Sequence, residues 1–250
     1  MTSTVERFSN RVENYAKYRP GYPPEMLEFF KDHLGLRPDH VIADVGSGTG
    51  LSSKPFLENG NMVYGVEPNA GMRAAAEGSL KEFKNFRSID GASAKTTLDG
   101  GSVDFIIAAQ AFHWFAPVQT RAEFKRILKP NGYVALIWNE RQLHSTPFLR
   151  EYEQLLLEFA TDYERVRHEN VDEKKLSSFF QRSFQKRTFA NNQIHDFEGL
   201  KGRLLSSSYM PAEGESFEAM INDLRALFAK HDEDGKITIL YDTNVFCSQF

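Results

Sequence analysis

Apolar residues after position 40 fall into short runs that alternate with segments of helical spacing. Five short apolar runs in the first half predict strands, at 41–45, 62–66, 86–89, 103–109 and 133–138. Helices are predicted between them at 69–80 and 117–128. Buried strands that alternate with helices indicate a parallel, doubly wound sheet.

The second half of the chain has a less regular pattern. A long amphipathic helix is predicted from Phe148 to Tyr163, and a polar stretch follows at 165–175. Further strands are predicted at 184–194 and 236–247, with a helix at 217–228 between them. Added to the five runs of the first half, these two strands bring the predicted sheet to seven strands.

Two helices are predicted ahead of residue 40. Ser3-x-x-Glu6 matches a capping box, and apolar residues recur at helical spacing as far as Tyr15. The sequence Arg-Pro-Gly at 19–21 ends this helix, and Pro-Pro at 23–24 begins the next one.

Composition narrows the class of protein. The chain has 250 residues, 41% of them hydrophobic, which is enough for one large domain with a small appended subdomain. Its formal net charge of −4 disfavours nucleic acid as the main partner, because phosphate binding usually needs a dense basic surface. No apolar run approaches the ~20 residues that span a bilayer, and the polar N-terminus is not typical of a secretory signal.

The single cysteine, Cys247, argues against an internal disulfide and a structural zinc site. We therefore expect a cytoplasmic protein without a bound metal or a membrane partner, and either a monomer or a homodimer.

The central motif is VIADVGSGTG, from Val41 to Gly50, in which three glycines follow a strand and precede a helix. Glycine tolerates positive φ there, and the N–H groups at a helix start favour electron-rich ligand groups. A dinucleotide fingerprint requires G-x-G-x-x-G, but Leu51 stands at the position of its third glycine. The Gly-Lys-Ser/Thr of a P-loop is also missing. The turn therefore fits a nucleoside without a pyrophosphate.

Glu67 is the second clue to the ligand. It closes the second predicted strand, 21 residues after Gly46. A carboxylate there can accept two hydrogen bonds from ribose hydroxyls. Either feature alone has an ordinary structural explanation, but together, in this order and spacing, they favour nucleoside binding.

Four segments together resemble one protein family. They are DVGSGTG at 44–50, GVEPNAGM at 65–72, SVDFIIAAQAFHWF at 102–115 and LKPNGYVALIWNER at 128–141. With YAKYRPGYP at 15–23, they resemble the class I S-adenosylmethionine-dependent methyltransferases. They are most similar to the small-molecule group with a type 11 methyltransferase domain that includes trans-aconitate methyltransferase-like proteins. The resemblance covers residues 5–141 well and the rest in outline.

The resemblance implies a Rossmann-like, doubly wound, mostly parallel seven-stranded sheet with helices on both faces, an antiparallel last strand and a helical cap. Within one structural domain, it implies three parts. Residues 1–36 would fold over the cofactor site, residues 37–141 would bind S-adenosylmethionine, and residues 142–250 would supply the remaining strands and the cap insertion.

The resemblance also implies cofactor contacts. Asp44 and the glycine turn would hold the methionine part, and Glu67 would hold the ribose. Pro68 and Met72 would flank the adenine. The implied cofactor residues are Asp44, Gly46, Ser47, Gly48, Thr49, Gly50, Glu67, Pro68, Met72, Ala92, Ser93, Gln110 and Ala111.

Two positions depart from the family pattern. The segment that contacts adenine often carries an acid, but here it is Gly-Ala-Ser-Ala at 91–94, with Asp90 one place early. The residue after His-Trp-Phe is commonly Asp, a natural N-cap, but here it is Ala116. We therefore expect a weakened adenine segment and a less well fixed start for the helix at Pro117.

Methyl transfer from a sulfonium is an in-line displacement that depends on alignment and requires no protein nucleophile. His113, just past the fourth strand, is the only candidate general base, and packing beside Trp114 explains it equally well. Arg19 and Arg141 could clamp a substrate carboxylate. The candidate residues for the substrate pocket are Tyr18, Arg19, His113, Trp114, Asn139 and Arg141.

The sequence thus predicts an enzyme that methylates a small molecule, with a carboxylate as one acceptor. Two alternatives stay open: a non-catalytic regulatory protein that binds S-adenosylmethionine, and a nicotinamide-dependent oxidoreductase. The weakened adenine segment favours the first alternative, and the glycine spacing disfavours the second. A macromolecular methyltransferase is less favoured, because no Asn/Asp-Pro-Pro-Tyr/Phe segment follows the fourth strand.

Overall fold

A computed structural model describes residues 17–161, 173–207 and 209–250. The predicted helix at 3–15, its capping box and the end of the long helix at Tyr163 lie outside the described residues. The strands are β1 Val41–Val45, β2 Met62–Val66, β3 Phe86–Ile89, β4 Val103–Ala109, β5 Leu128–Arg141, β6 Gln185–His195 and β7 Ile237–Gln249.

Eight α-helices lie in the described ranges around these strands. They are α1 Pro24–Leu34, α2 Ser53–Glu58, α3 Ala70–Ser79, α4 Pro117–Ile127, α5 Pro147–Phe159, α6 Glu173–Phe180, α7 Phe197–Leu205 and α8 Glu215–His231. A short 3-10 turn at Phe112–Trp114 follows β4.

The seven strands form one sheet in the order β3-β2-β1-β4-β5-β7-β6. The strands β1 to β5 are parallel to one another, whereas β7 is antiparallel to both β5 and β6. The strand order reverses between β1 and β4: the chain first adds strands on one side of β1 and then on the other. Open α/β sheets bind ligands at such a switch point. The predicted Rossmann-like sheet with an antiparallel last strand is confirmed.

Helices cover both faces of the sheet. One core packs α4 and α6 against the sheet through Phe124, Phe179 and their neighbours. The other packs α1 and α2 against the opposite face through Phe30 and Phe56. These two cores make the sheet a rigid base for the loops at the carboxyl ends of its strands.

A third core forms a helical cap beyond β5. It joins α5, α7 and α8 to the first half of β7, where Ile237, Ile239 and Tyr241 are buried. The cap residues come from 148–241, so long-range packing rather than local pattern holds them together.

Helix ends follow local chemistry. The Asn69 side chain accepts a hydrogen bond from Met72 N at the start of α3, and Thr146 caps α5 in the same way. Ala116 provides no side-chain cap to α4, as expected, yet Pro117 at the first turn still starts the helix.

Two helices were missed in the sequence, α6 and α7. Most of the expected polar stretch at 165–175 lies outside the described residues, but α6 already begins at Glu173. Gly199 and Gly202 lower the helix propensity of α7. A Cβ at Gly202 would lie 2.2 Å from the Tyr18 ring, so this glycine makes room for a close tertiary contact.

Candidate functional site

The glycine turn leaves β1 in a conformation that requires glycine. Gly46, Gly48 and Gly50 have φ of 73°, 53° and 84°. A Cβ at Gly46 would lie 2.6 Å from Ala111 Cβ, and one at Gly50 would lie 2.5 Å from Leu80 Cδ1. A Cβ at Gly48 would meet nothing within 4 Å. The outer glycines therefore pack against the protein, whereas Gly48 borders open space.

The Glu67 carboxylate faces this turn. Its Oε2 accepts a hydrogen bond from Gly48 N at 3.1 Å, and its Oε1 accepts one from Asn69 N at 2.9 Å. Burial raises the pKa of the Glu67 carboxyl, and the two N–H donors oppose that shift. Backbone therefore fixes a half-buried carboxylate beside the open side of Gly48, with lone pairs left for further donors.

Asp44 lies beneath the turn, with none of its surface exposed. Its Oδ2 accepts hydrogen bonds from Ser52 Oγ at 2.6 Å and Ser53 Oγ at 2.7 Å. Burial raises the pKa of the Asp44 carboxyl to about 6, against the effect of the two hydroxyls. Asp44 therefore organises the segment between β1 and α2 from below.

Three buried oxygens around the turn have no hydrogen-bond partner among the described residues: Asp44 Oδ1, Thr49 Oγ1 and Gln110 Oε1. The backbone φ of Gln110 is 54°, which is unusual for a residue other than glycine. Its Nε2 donates to the Asn139 carbonyl at 2.9 Å. An unmet buried acceptor costs about 1–3 kcal/mol, so such atoms concentrate where a ligand or water completes them. These unmet acceptors fit a nucleoside with an amino-acid tail, because such a ligand brings hydroxyl and ammonium donors.

The predicted adenine segment is held from behind by α4. Ser93 Oγ accepts a hydrogen bond from Thr120 Oγ1 at 3.0 Å. Glu123 Oε1 accepts from Thr96 N at 2.8 Å and from Thr96 Oγ1 at 2.6 Å. These contacts order the loop without an acid facing the crevice, and they leave the Ala92 side chain exposed.

Asp90, the acid that stands one place early in the adenine segment, forms an ion pair with Arg73. Arg73 Nη1 donates both to Asp90 Oδ1 at 3.0 Å and to the Glu67 carbonyl at 2.8 Å. This arginine therefore links the ends of β2 and β3. Pro68 is exposed and Met72 is buried at the start of α3, on either side of the Asn69 cap.

His113 and Trp114 form the 3-10 turn after β4, with ring centroids 4.8 Å apart. The surrounding protein desolvates the His113 ring and lowers its pKa to about 4, although the side chain is still accessible to solvent. Trp114 is 40% exposed. His113 is therefore neutral at pH 7 and a weak base.

The segment from Tyr18 to Gly21 crosses the edge of β5 and β6. Gln193 Nε2 donates to the Tyr18 carbonyl at 3.1 Å, and Arg19 Nη2 donates to the Ser206 carbonyl at 3.1 Å.

Asn139 is occupied by protein contacts. Its Nδ2 donates to the Gly21 carbonyl at 2.9 Å, and its Oδ1 accepts from Thr243 Oγ1 and from Asn191 Nδ2. This amide ties the N-terminal segment to three strands, so its direct contact with a substrate stays a prediction.

Arg141 forms a buried ion pair with Glu153 of α5, whose side chains are 9% and 2% exposed. Its guanidinium also lies 5.2 Å from the Tyr152 ring centroid. A carboxylate of the protein thus already meets Arg141, and the predicted substrate clamp at this residue stays untested.

Arg203 on α7 is a buried cation that sequence reasoning missed. It lies near Tyr241 and Tyr152 inside the cap and is 8% exposed. Because α7 was not predicted, no pattern marked Arg203 as facing the core. The sequence signal that could have revealed α7 is its two glycines, Gly199 and Gly202, which allow close packing, rather than the spacing of its apolar residues.

The described residues contain no group of three or more His, Cys, Asp or Glu that could hold a metal ion. No helix among them has the length and hydropathy needed to cross a membrane.

Comparison with known families identifies the central part of the chain. Residues 43–136 match the family described as "Methyltransferase domain". An uncharacterized methyltransferase of Schizosaccharomyces pombe is 32% identical over 150 residues, which are 60% of this chain and 58% of the relative. One from Mycobacterium bovis is 32% identical over 134 residues, 54% of this chain and 52% of the relative. The chain thus matches little more than half the length of these curated relatives.

Solved structures share the fold at low identity. A candidate type II methyltransferase from Anaeromyxobacter dehalogenans aligns with a TM-score of 0.67 and 17% identity, over 93% of this chain and 98% of that one. A candidate methyltransferase of an antibiotic biosynthesis pathway from Anabaena variabilis aligns with a TM-score of 0.62 and 21% identity, over 94% and 100%. Residues 43–136 thus match a methyltransferase domain, and the chain shares its fold with these solved methyltransferases.

Proposed function

We propose that this chain binds S-adenosylmethionine at the carboxyl ends of β1, β2 and β4 and transfers its methyl group to a small molecule. One observation carries the proposal: the Glu67 carboxylate is fixed by Gly48 N beside the only glycine of the turn whose Cβ direction is open. That pair offers a backbone surface and an acceptor for ribose hydroxyls in one place.

The described residues suggest a division of roles. The backbone of 46–50, with Ser47 and Thr49, would hold the methionine part from one side, and Gln110 and Ala111 would hold it from the other. Asp44 would support this cradle from below. Pro68, Met72, Ala92 and Ser93 would enclose the adenine. Residues 37–141 would form the cofactor-binding core, and 17–36 would be the described part of the covering segment. Residues 142–250 would supply the remaining strands and the cap.

When bound, S-adenosylmethionine supplies an electrophilic methyl group on a sulfonium. The residues of this chain would contribute alignment of the acceptor, which can account for about 7–11 kcal/mol of a barrier in favourable cases. The cap core over the sheet edge would exclude water from that space.

A carboxylate acceptor suits this site. The pKa of His113 is lowered to about 4, so its neutral ring accepts a proton poorly. A carboxylate is already ionised at pH 7 and needs no base before it attacks a methyl group. The neutral His113 ring would then serve as pocket wall or hydrogen-bond partner beside Trp114.

The test is calorimetry of the full chain with S-adenosylmethionine, S-adenosylhomocysteine and NADH. Gly48→Val fills the cradle with a branched side chain, and we expect at least about 30-fold weaker binding of S-adenosylhomocysteine. Gly101→Val is a matched control, because Gly101 has a φ of 61° and an equally open Cβ direction at the opposite end of β4. It should bind like wild type.

Glu67→Ala should weaken binding about 10-fold, because the ribose hydroxyls lose their acceptor. Glu58→Ala, at an exposed carboxylate on α2, is its control. If wild type binds neither S-adenosyl compound, the proposed function is wrong, and binding of NADH instead would support an oxidoreductase. If both site variants bind like wild type, the site assignment is wrong.

A further inference from the structure

The guanidinium of Arg203 is buried in the cap without a carboxylate. Residues that act on it electrostatically are Tyr241, Tyr152 and Tyr209, and no acid of the described residues is among them. Arginine stays protonated at any working pH. Because an unpaired buried charge is strongly unfavourable, such a residue is expected to meet an anion.

The hydrogen bonds of Arg203 leave one side of the guanidinium unused. Nε donates to Tyr241 Oη at 3.1 Å, and Nη1 lies at 3.4 Å from both Ser206 Oγ and Ser207 Oγ. Nη2 has no acceptor among the described residues, yet it is not one of the fully enclosed polar atoms without a partner. It therefore borders accessible space, held in place by the other two nitrogens.

Among the described residues, the core of the cap holds an excess of positive charge. Arg141 and Glu153 neutralise each other as a buried pair. The nearby His195 is largely buried, and burial together with Arg203 lowers the pKa of its ring, so it is neutral at pH 7. Arg203 thus leaves a buried positive charge, and the half-buried Arg19, which donates to the Ser206 carbonyl, adds a second cation on the same side of the cap.

Arg203 is connected to the cofactor site along the edge of the sheet. Gln110 Nε2, next to the glycine turn, binds the Asn139 carbonyl, and Arg141 two residues later pairs with Tyr241 on β7. Tyr241 in turn holds Arg203. Two strand spacings of about 4.8 Å separate β4 from β7, the strand that carries the Tyr241 partner of Arg203.

We propose that Arg203 is the specificity-determining residue of the acceptor site, and that its free edge, beside the phenol of Tyr152, binds a carboxylate of the acceptor. This inference rests on the proposed function. It moves anion recognition from Arg19 and Arg141, which the sequence suggested, to a residue that the fold keeps buried and without an acid.

The test uses acetate and acetamide, the smallest matched pair that differs in this charge. Each is titrated into the full-length protein, free and with S-adenosylhomocysteine, while the arginine Nε–H signals are followed by NMR. The Arg203 signal is assigned by its loss in Arg203→Met. Acetate should shift that signal saturably, with a dissociation constant of about 10 mM or tighter, and acetamide should not.

Arg203→Lys keeps the charge but loses the planar donor edge, so acetate should bind at least 10-fold more weakly, detected through methyl signals of the cap. Arg225→Met, at an arginine over the Phe197 ring, is the control that should leave acetate binding unchanged. Affinity for S-adenosylhomocysteine should be the same in all variants and should not fall when acetate is present.

Several results would overturn the proposal. They are an Arg203 signal that acetate leaves unchanged, an equal response to acetamide, or competition between acetate and S-adenosylhomocysteine. If Arg203→Met fails to fold, the Arg203 signal is assigned by its loss in Arg203→Lys. The wild-type titrations with acetate and acetamide then still test the proposal. Failure of S-adenosylhomocysteine to bind would instead contradict the proposed function, and the acetate titration of the free protein would still test Arg203.

Discussion

The two ends of the crevice are built in different ways. At the glycine turn, backbone conformation does most of the work: three positive φ values, a carboxylate held by two N–H groups and one open Cβ direction. At the cap, side chains from α5, α7 and β7 meet in a buried cluster of arginines, tyrosines and one glutamate. The first end depends on residues between Gly46 and Asn69, and the second depends on partners as far as about 100 residues apart.

This difference explains why the two ends carry different information. A backbone cradle tolerates few substitutions and leaves a short motif, so it identifies the cofactor. A pocket of side chains on separate elements can change one residue at a time, so one fold serves many acceptors. The matched family segment at 43–136 accordingly ends before Arg141 and includes none of the cap.

The largest effect is expected when the cap is broken without touching the cofactor end. Glu153→Leu removes the buried carboxylate that pairs with Arg141, so we expect a loss of about 3–5 kcal/mol in the free energy of unfolding by urea. The double variant Arg141→Met, Glu153→Leu removes both charges and should recover most of that loss. Affinity for S-adenosylhomocysteine should be unchanged in the double variant.

A double variant as unstable as the single one would show that packing rather than charge holds this part of the cap. A large loss of cofactor affinity in a folded double variant would contradict the separation of the two ends.

The fold was largely predictable because its signal is local. The first four strands match their expected limits, since short apolar runs between helices are typical of a parallel sheet. The fifth strand is longer than expected: β5 begins at Leu128, and the expected turn near Asn131 is an irregularity in its pairing with β4. In α7, the glycines lower helix propensity, but packing of Tyr18 against Gly202 compensates for it. No local sequence pattern could reveal this contact, because Tyr18 lies far away in the chain.

The site was predictable in part, for the same reason. The sequence pointed to Glu67 and the glycines, and the structure brings these residues together. It named Arg141 for a substrate but could not show Glu153, twelve residues later on another element, as its partner. The sequence could not single out Arg203, because its proposed role depends on the lack of a carboxylate around it among the described residues.

A second prediction concerns the cofactor end, where Asp44 works against stability. The pKa of its carboxyl is raised from 3.8 to about 6 by burial, so the folded state holds its proton longer than the unfolded state does. This group is therefore most favourable to folding below pH 4. Its contribution falls as the pH rises to about 6, by about 3 kcal/mol in total.

Asp44→Asn removes this titration. Relative to wild type, the variant should become more stable by about 3 kcal/mol between pH 4 and pH 7, measured as the difference between their urea unfolding curves. Its affinity for S-adenosylhomocysteine should fall, because the turn loses its buried charge. A difference that does not change with pH would mean that the Asp44 carboxyl is not desolvated as described.

The smallest effect is expected at Glu123, which joins the cofactor end to the helix layer rather than to the cap. Hydrogen bonds from Arg126 and Thr96 hold the pKa of the Glu123 carboxyl at about 2, so its contribution to stability is complete above about pH 4.5 and is lost as the pH falls towards 2. Glu123→Gln should cost about 1–2 kcal/mol at pH 7 and weaken S-adenosylhomocysteine binding a few-fold, because the loop that would enclose the adenine loses its charged acceptor. Arg126→Gln keeps both bonds from Thr96 and should lower stability while leaving the affinity close to wild type. If the two variants reduce affinity equally, the loop is ordered by the ion pair as a whole, and the adenine end then depends on side chains in the same way as the cap.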